Sequence, residues 1–179
     1  MVAYLLDTNI VSFWYDDHRA EHANVVGHVE AARQPDPKGY IPRLFISVVA
    51  LGEIEFGHKV APTPDHQAQA QYLEFVRNEV PETLEITAHV SESYGALKAW
   101  LFENFRDPKK TRKRLRLEQL VSPIAARELG ADENDLWITA QAMYHELVLV
   151  THDSHGHFGE MLQHFAKKLR IRVEDWAQP

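Results

Sequence analysis

The sequence predicts an α/β fold, a three-layer αβα sandwich around a mostly parallel central sheet. Three observations carry this expectation. Short apolar runs rich in strand formers, at 2–6, 44–46, 84–86, 147–150 and 171–173, alternate with longer helical patterns. Strands separated by a helix pair through crossovers, and crossovers generate parallel sheets with helices on both faces. Leu147-Val148-Leu149-Val150 is apolar without alternation, which suits a strand buried on both faces.

The elements follow in order. Residues 2–6 form the first strand, halted by Asp7-Thr8-Asn9, residue types that favour caps and turns. Ile10, Val11, Phe13 and Trp14 begin a helix, and a second spans about 21–33. Gln34-Pro35-Asp36-Pro37-Lys38-Gly39 is a loop by its prolines and glycine. After the strand at 44–46, Ser47 caps a helix over 48–59, which the prolines at 62 and 64 end. Asp65 caps the next helix, with Ala68, Tyr72, Phe75 and Val76 on its apolar side. A strand at 84–86 leads into a helix over 88–105. The pattern then predicts a helix over 117–129, stopped by Gly130, and another capped by Asp132 and running to about 145. The strand at 147–150, a helix over 157–168 and a strand at 171–173 complete the chain.

The 179 residues, 45% hydrophobic and 25% charged, suit one globular domain with its own core. The chain has no cysteine, which excludes a disulfide framework, a thiol nucleophile and a thiolate zinc site. A net charge of −7 excludes a uniformly basic surface, so any nucleic-acid binding is local or assisted by a cation. The opening residues lack a basic and then long apolar leader, and no run approaches the ~18 apolar residues of a membrane span. The expected location is therefore the cytoplasm, with no membrane contact. No HExxH, nucleophile elbow, Walker loop or dinucleotide fingerprint occurs.

In parallel sheets, ligands sit beyond the carboxyl ends of the strands. After the first strand comes Asp7-Thr8-Asn9; after the second, Ser47, with Glu53 about two turns into its helix; after the strand at 147–150, Thr151-His152-Asp153. Asp135 lies in the first turn of the helix that precedes that strand. Each acid has a plainer structural role: Asp7 as an N-cap, Glu53 as a solvated helix residue, Asp135 as a dipole partner beside Asp132 and Glu133, Asp153 as a turn residue. A convergent set would repel, at about 1 kcal/mol per pair at 4 Å in water and about 4 kcal/mol at an effective dielectric of 20. Protons or a cation must offset that repulsion, and hard oxygen donors suit Mg²⁺ or Mn²⁺.

Four stretches, LLDTNI at 5–10, ISVVALGEIEFG at 46–57, ENDLWITAQA at 133–142 and LVTHD at 149–153, resemble in order the signature stretches of PIN-domain ribonucleases. The likeness is strongest to the VapC-type toxins of bacterial and archaeal toxin–antitoxin systems. The resemblance implies a PIN-like, Rossmann-like fold with a metal site made of Asp7, Glu53, Asp135 and Asp153. Thr8, Asn9, Ser47 and Thr151 match the small polar residues that support it. It also implies hydrolysis of RNA phosphodiester bonds to a 5′-phosphate and a 3′-hydroxyl, a homodimer, and restraint by a cognate antitoxin. Such toxins are commonly shorter, and the excess falls near 34–42 and 106–116. The residues SHGHF after Asp153 also depart from the family's shorter link. A PIN-fold RNA-processing or DNA nuclease with no toxin role, and a silent PIN-fold binding module, are the alternatives.

Residues 106–116, RDPKKTRKRLR, carry a local charge of +6 and leave −13 on the rest of the chain. Lys109, Lys110, Arg112, Lys113, Arg114 and Arg116 are thus candidate phosphate contacts, with a solvated loop or an antitoxin-docking patch as the other readings. His152, His155 and His157 read as polar loop residues and a helix start rather than as metal ligands. Some of Phe13, Trp14 and Tyr15 belong to the core, and the remainder suits a partner surface.

Overall fold

The computed structural model describes residues 2–63, 65–106, 116–122, 124, 127–152 and 157–179. The chain divides into two compact units. The first comprises Met1–Glu85, Val148–His152 and Glu174–Pro179. It contains β1 (Ala3–Leu6), α1 (Thr8–Tyr15), α2 (His22–Ala32), β2 (Arg43–Ser47), α3 (Val48–Val60), α4 (His66–Glu79), β3 (Glu82–Leu84) and β4 (Val148–Val150). The second, Ile86–Leu147 and Asp153–Val173, contains α5 (Ala88–Phe105), a 3₁₀ turn at Leu117–Gln119, α6 (Glu133–Tyr144), α7 (Phe158–His164) and α8 (Ala166–Leu169). The last strand, β5 (Arg172–Glu174), ends in the first unit.

The strands form one sheet in the order β3-β2-β1-β4-β5. β1 runs parallel to both β2 and β4, and β2 parallel to β3. Leu5 therefore stands opposite Phe45 on one side and Leu149 on the other. With a neighbour on each edge, β1 is fully engaged, and Leu5 and Leu6 are completely buried. The parallel α/β class expected from the alternating pattern is the one observed.

The expected caps form. The Asp7 side chain accepts from the Thr8 amide, Ser47 from Val49, Asp65 from Gln67 and Ala68, and Asp132 from Asn134 and Asp135. The loop after α2 closes on Asp36, whose carboxylate accepts from the amides of Lys38 and Tyr40. Gly39 there has φ +82°, a conformation in which a side chain is strained.

Three elements depart from expectation. β3 lies two residues earlier than 84–86, because Leu84 pairs with Ser47, the last residue of β2, and the ladder ends there. Ile86 is left exposed. The helix expected over 117–129 does not form. A 3₁₀ turn is followed by an antiparallel bridge between Val121 and Glu128, with the Ser122 amide on the Arg127 carbonyl and Leu129 on Leu120. The sequence reason is Pro123, which lacks an amide proton and disfavours helical geometry at Ser122. Leu120 and Leu129 are buried all the same; their apolar character reports burial, not helix. The helix expected over 157–168 is broken at Phe165 into α7 and α8, where the Phe165 ring meets Trp100 and Phe105.

Candidate functional site

Asp7 is the first residue beyond β1. Its amide donates to the Val150 carbonyl at 3.0 Å, so it stays stitched to the end of β4. Its side chain, 9% exposed, accepts from the Thr8 amide on Oδ1 and from the Thr151 hydroxyl on Oδ2, both at 2.7 Å. The predicted cap is thus real, yet it uses only one of the two carboxylate oxygens.

Ser47, fully buried, caps α3 through the Val49 amide at 2.9 Å. It fixes the start of the helix that carries Glu53 six residues on. The Glu53 carboxylate accepts a short hydrogen bond from the Thr8 hydroxyl. Thr8 therefore bridges Asp7, through its amide, and Glu53, through its side chain. Two carboxylates far apart in sequence meet on one residue at the carboxyl end of the central strand.

Asn9 adds a second kind of link. Its amide nitrogen donates to the His152 carbonyl, and its oxygen accepts from the His152 amide at 3.4 Å. A side-chain amide here replaces the peptide that a neighbouring strand would offer. The His152 ring in turn meets the Asp175 carboxylate at 3.0 Å, with the two side chains 19% and 16% exposed.

Asp135 belongs to the second unit. It sits in the first turn of α6, where its carboxylate accepts from the Asp132 amide at 2.8 Å and completes a reciprocal capping box. The neighbouring Glu133 pairs with Lys98 and with the Tyr94 hydroxyl of α5. Burial raises the Glu133 carboxyl, but Lys98 and Tyr94 outweigh it and hold the group below its ordinary pKa. Lys98 is likewise raised against the pull of burial, by Glu133 and Tyr94. The Tyr94 ring stacks on Trp137 with centroids 3.9 Å apart.

Asp153 and His155 lie outside the described residues, as do Lys109, Lys110, Arg112, Lys113 and Arg114. Arg116 is exposed and precedes the 3₁₀ turn. His157 starts α7 and meets Glu160 at 3.2 Å, as a helix-start residue should. His152 lies in the loop after β4, as expected, with its ring on Asp175. Phe13 and Trp14 are buried, while Tyr15 is exposed and stacks on Tyr72.

The donors brought together in the first unit are all hard oxygens: two carboxylates and two hydroxyls. Their chemistry fits Mg²⁺ or Mn²⁺ rather than a soft cation. Among the described residues, no group of three or more histidine, aspartate or glutamate side chains gathers to hold a metal ion.

Asp175, whose carboxylate meets His152, is absent from the strand-end readings at Asp7, Ser47 and Thr151. The rule that selects Asp7 also selects it, because it is the first residue beyond β5.

The chain matches the PIN domain family over residues 4–161. No curated protein matches it. Several solved structures are similar. VapBC2 from Rickettsia felis, bound to a DNA fragment from its promoter, has a TM-score of 0.61 at 18% identity, covering 98% of this chain and 99% of that one. FitAcB from Neisseria gonorrhoeae gives 0.62 at 15% identity, over 98% and 99%. VapBC-5 from Mycobacterium tuberculosis, a member of the VapBC family of toxin-antitoxin systems, gives 0.54 at 23% identity, over 98% of both chains. At these identities the likeness concerns the fold.

Proposed function

Because the chain belongs to the PIN-domain family, we propose that it is an Mg²⁺- or Mn²⁺-dependent endoribonuclease, the toxin of a VapC-type toxin–antitoxin pair. The observation that carries the reading is the joining of Asp7 and Glu53 through Thr8 at the carboxyl end of the central strand. Such a strand end is where parallel sheets place their ligands. In this reading Asp7, Glu53, Asp135 and Asp153 hold the cation. A bound divalent ion supplies an activated water and neutralises charge on the scissile phosphate.

The side chains of this protein then do the following. Asp7 and Glu53 present carboxylate oxygens, and the Thr8 and Thr151 hydroxyls fix their direction by donating to them. Asn9 holds the backbone that carries Thr151, and Ser47 holds the helix that carries Glu53. The water oxygen bonds to phosphorus as the bond from phosphorus to the 3′-oxygen breaks, and the proton the water gives up is balanced by one taken up at the 3′-oxygen, leaving a 5′-phosphate and a 3′-hydroxyl. Arg116 and the basic residues Lys109, Lys110, Arg112, Lys113 and Arg114 contact phosphates away from the scissile bond.

The partners in this reading are RNA, a cognate antitoxin and a second copy of the chain. One structural neighbour, VapBC-5, is a member of a family of toxin-antitoxin systems, which supports the antitoxin. Among the described residues no helix is long and apolar enough to cross a membrane, in keeping with a cytoplasmic site of action.

Cleavage of total RNA with Mn²⁺, with mapped ends, tests the proposal. The protein should produce 5′-phosphate ends, and Asp7→Asn should produce none while remaining folded. Undiminished turnover by Asp7→Asn would remove the assignment. Growth arrest on expression, relieved by a neighbouring gene product, separates the toxin from a housekeeping nuclease.

A further inference from the structure

We infer that Asp175 is a positioning residue for the carboxylate site, acting through His152 to hold the Thr151 hydroxyl on Asp7. The inference rests on the nuclease reading and adds a residue to its machinery.

The hydroxyl that reaches Asp7 leaves the chain just past β4, and several contacts hold the backbone there. The Thr151 amide donates to the Glu174 carbonyl at 3.0 Å. Asn9 grips both the carbonyl and the amide of His152. The His152 ring nitrogen Nδ1 lies 3.2 and 3.0 Å from the two oxygens of Asp175. The ring also meets Phe13 edge-on, with centroids 5.6 Å apart, so it is held on more than one side.

Asp175 is itself immobilised. It accepts from the Ala177 amide at 3.0 Å and from the Gln178 side chain at 2.9 Å. A carboxylate so fixed, and largely shielded from water, makes a stronger and more directional partner for an imidazole than an exposed one. The ends of β1, β4 and β5 are thereby joined side chain to side chain, from Asp7 to Thr151 and from His152 to Asp175.

A purely structural account would make Asp175 an anchor for the end of the chain. That anchor already exists. Trp176 is 2% exposed and packs on Tyr4 at 4.9 Å, and Asn24 donates to the Ala177 carbonyl at 3.0 Å. The contact with His152 acts instead on the residue beside Thr151.

The test uses the full chain and three variants, Asp175→Ala, Asp175→Asn and Trp176→Phe. Mn²⁺ affinity is read by calorimetry, kcat and KM on single-stranded RNA, and the Asp7 carboxyl ¹³C shift by NMR without metal. Asp175→Ala should weaken Mn²⁺ binding and lower kcat by about tenfold each, the lower end for outer partners of a metal site, with KM unchanged and the Asp7 signal moved. Asp175→Asn keeps an oxygen acceptor for the ring and should restore most of both. Trp176→Phe should lower Tm while leaving Mn²⁺ affinity and the Asp7 signal in place. Unchanged Mn²⁺ affinity and an unmoved Asp7 signal in Asp175→Ala would overturn the inference. So would an equal loss in Trp176→Phe. If the unaltered protein neither binds Mn²⁺ nor cleaves RNA, the nuclease reading fails on its own. The Asp7 signal then decides the positioning role: moved only by Asp175→Ala, the role stands; unmoved, it falls.

Discussion

Asp7→Asn should separate stability from cation binding. Asn caps a helix as well as Asp does, so the bond from the Thr8 amide survives. The bond from the Thr151 hydroxyl changes from charge-assisted to neutral, a loss of about 1 kcal/mol. Against this, one of two carboxylates that share Thr8 becomes neutral, a relief of about 1 kcal/mol or more. The two effects offset each other, so without metal the variant should lie within about 1 kcal/mol of the parent. With Mn²⁺ at a hundredfold its dissociation constant, the parent gains about 2.7 kcal/mol by linkage. For a chain of this size that is a rise in Tm of roughly 5–10 °C. Asp7→Asn should gain almost none of it. Chemical denaturation of both proteins, with and without Mn²⁺, measures the four stabilities. The reasoning is refuted if Mn²⁺ stabilises both proteins equally or neither, or if the variant is unfolded in metal-free buffer. The last result would make Asp7 a structural carboxylate.

Burial pushes the Tyr72 phenol, which pairs with Ser12 at 2.9 Å, up to about 12 from its ordinary 10.0. Its folded form therefore favours the neutral phenol, and the stability this contributes is intact below pH 10 and is lost as pH rises toward 12, about 2–3 kcal/mol in all. Tyr72→Phe should remove that part of the alkaline loss, and parallel slopes in denaturation titrations from pH 9 to 11 would contradict it. Asp132→Ala deletes the carboxylate that caps the Asn134 and Asp135 amides at the start of α6, and should cost about 1–2 kcal/mol in urea unfolding; a smaller change would mean that those amides find other acceptors. Replacing Arg112, Lys113 and Arg114 by Ala should reduce the salt slope of RNA binding by up to about 2, at roughly 0.7 per phosphate contact on a single strand. An unaltered slope would assign the segment to a solvated loop or a protein partner.

The parallel sheet was legible because its strands are short, apolar and separated by helical lengths. Leu147 to Val150 needs both faces covered, and Val148 to Val150 lie buried in β4. Caps were legible because Asp7, Ser47, Asp65 and Asp132 act on amides within three residues of themselves, a range that sequence displays. Leu120 and Leu129 misled for the opposite reason. Both are buried, but they flank an antiparallel bridge from Val121 to Glu128 rather than sharing a helix. Periodicity reports which residues leave water, not which backbone carries them there. β3 was displaced by two residues because register against β2, not local composition, ends the strand.

For the candidate site, the telling distinction is between a carboxylate that only caps and one that also accepts from a distant segment. Asp7 and Asp132 look alike in sequence, each opening a helix and each accepting from the amides that follow. What separates them is the second oxygen of Asp7, which takes a hydroxyl from 144 residues away. Thr8 makes the same point from the other side, since its hydroxyl is spent on Glu53 in a different helix. Such hydrogen bonds between distant segments leave no local trace, so spacing alone could nominate these residues but not link them. The strand-end rule does better because it is a rule about topology. At the ends of β1, β2, β4 and β5 it points to Asp7, Ser47, Thr151 and Asp175, and all four are hydrogen-bonded there. The part of a parallel α/β site that can be read in advance is therefore the set of polar residues released at the strand ends. Which of them meet is fixed by the sheet order, which puts β1 beside β4 and β4 beside β5.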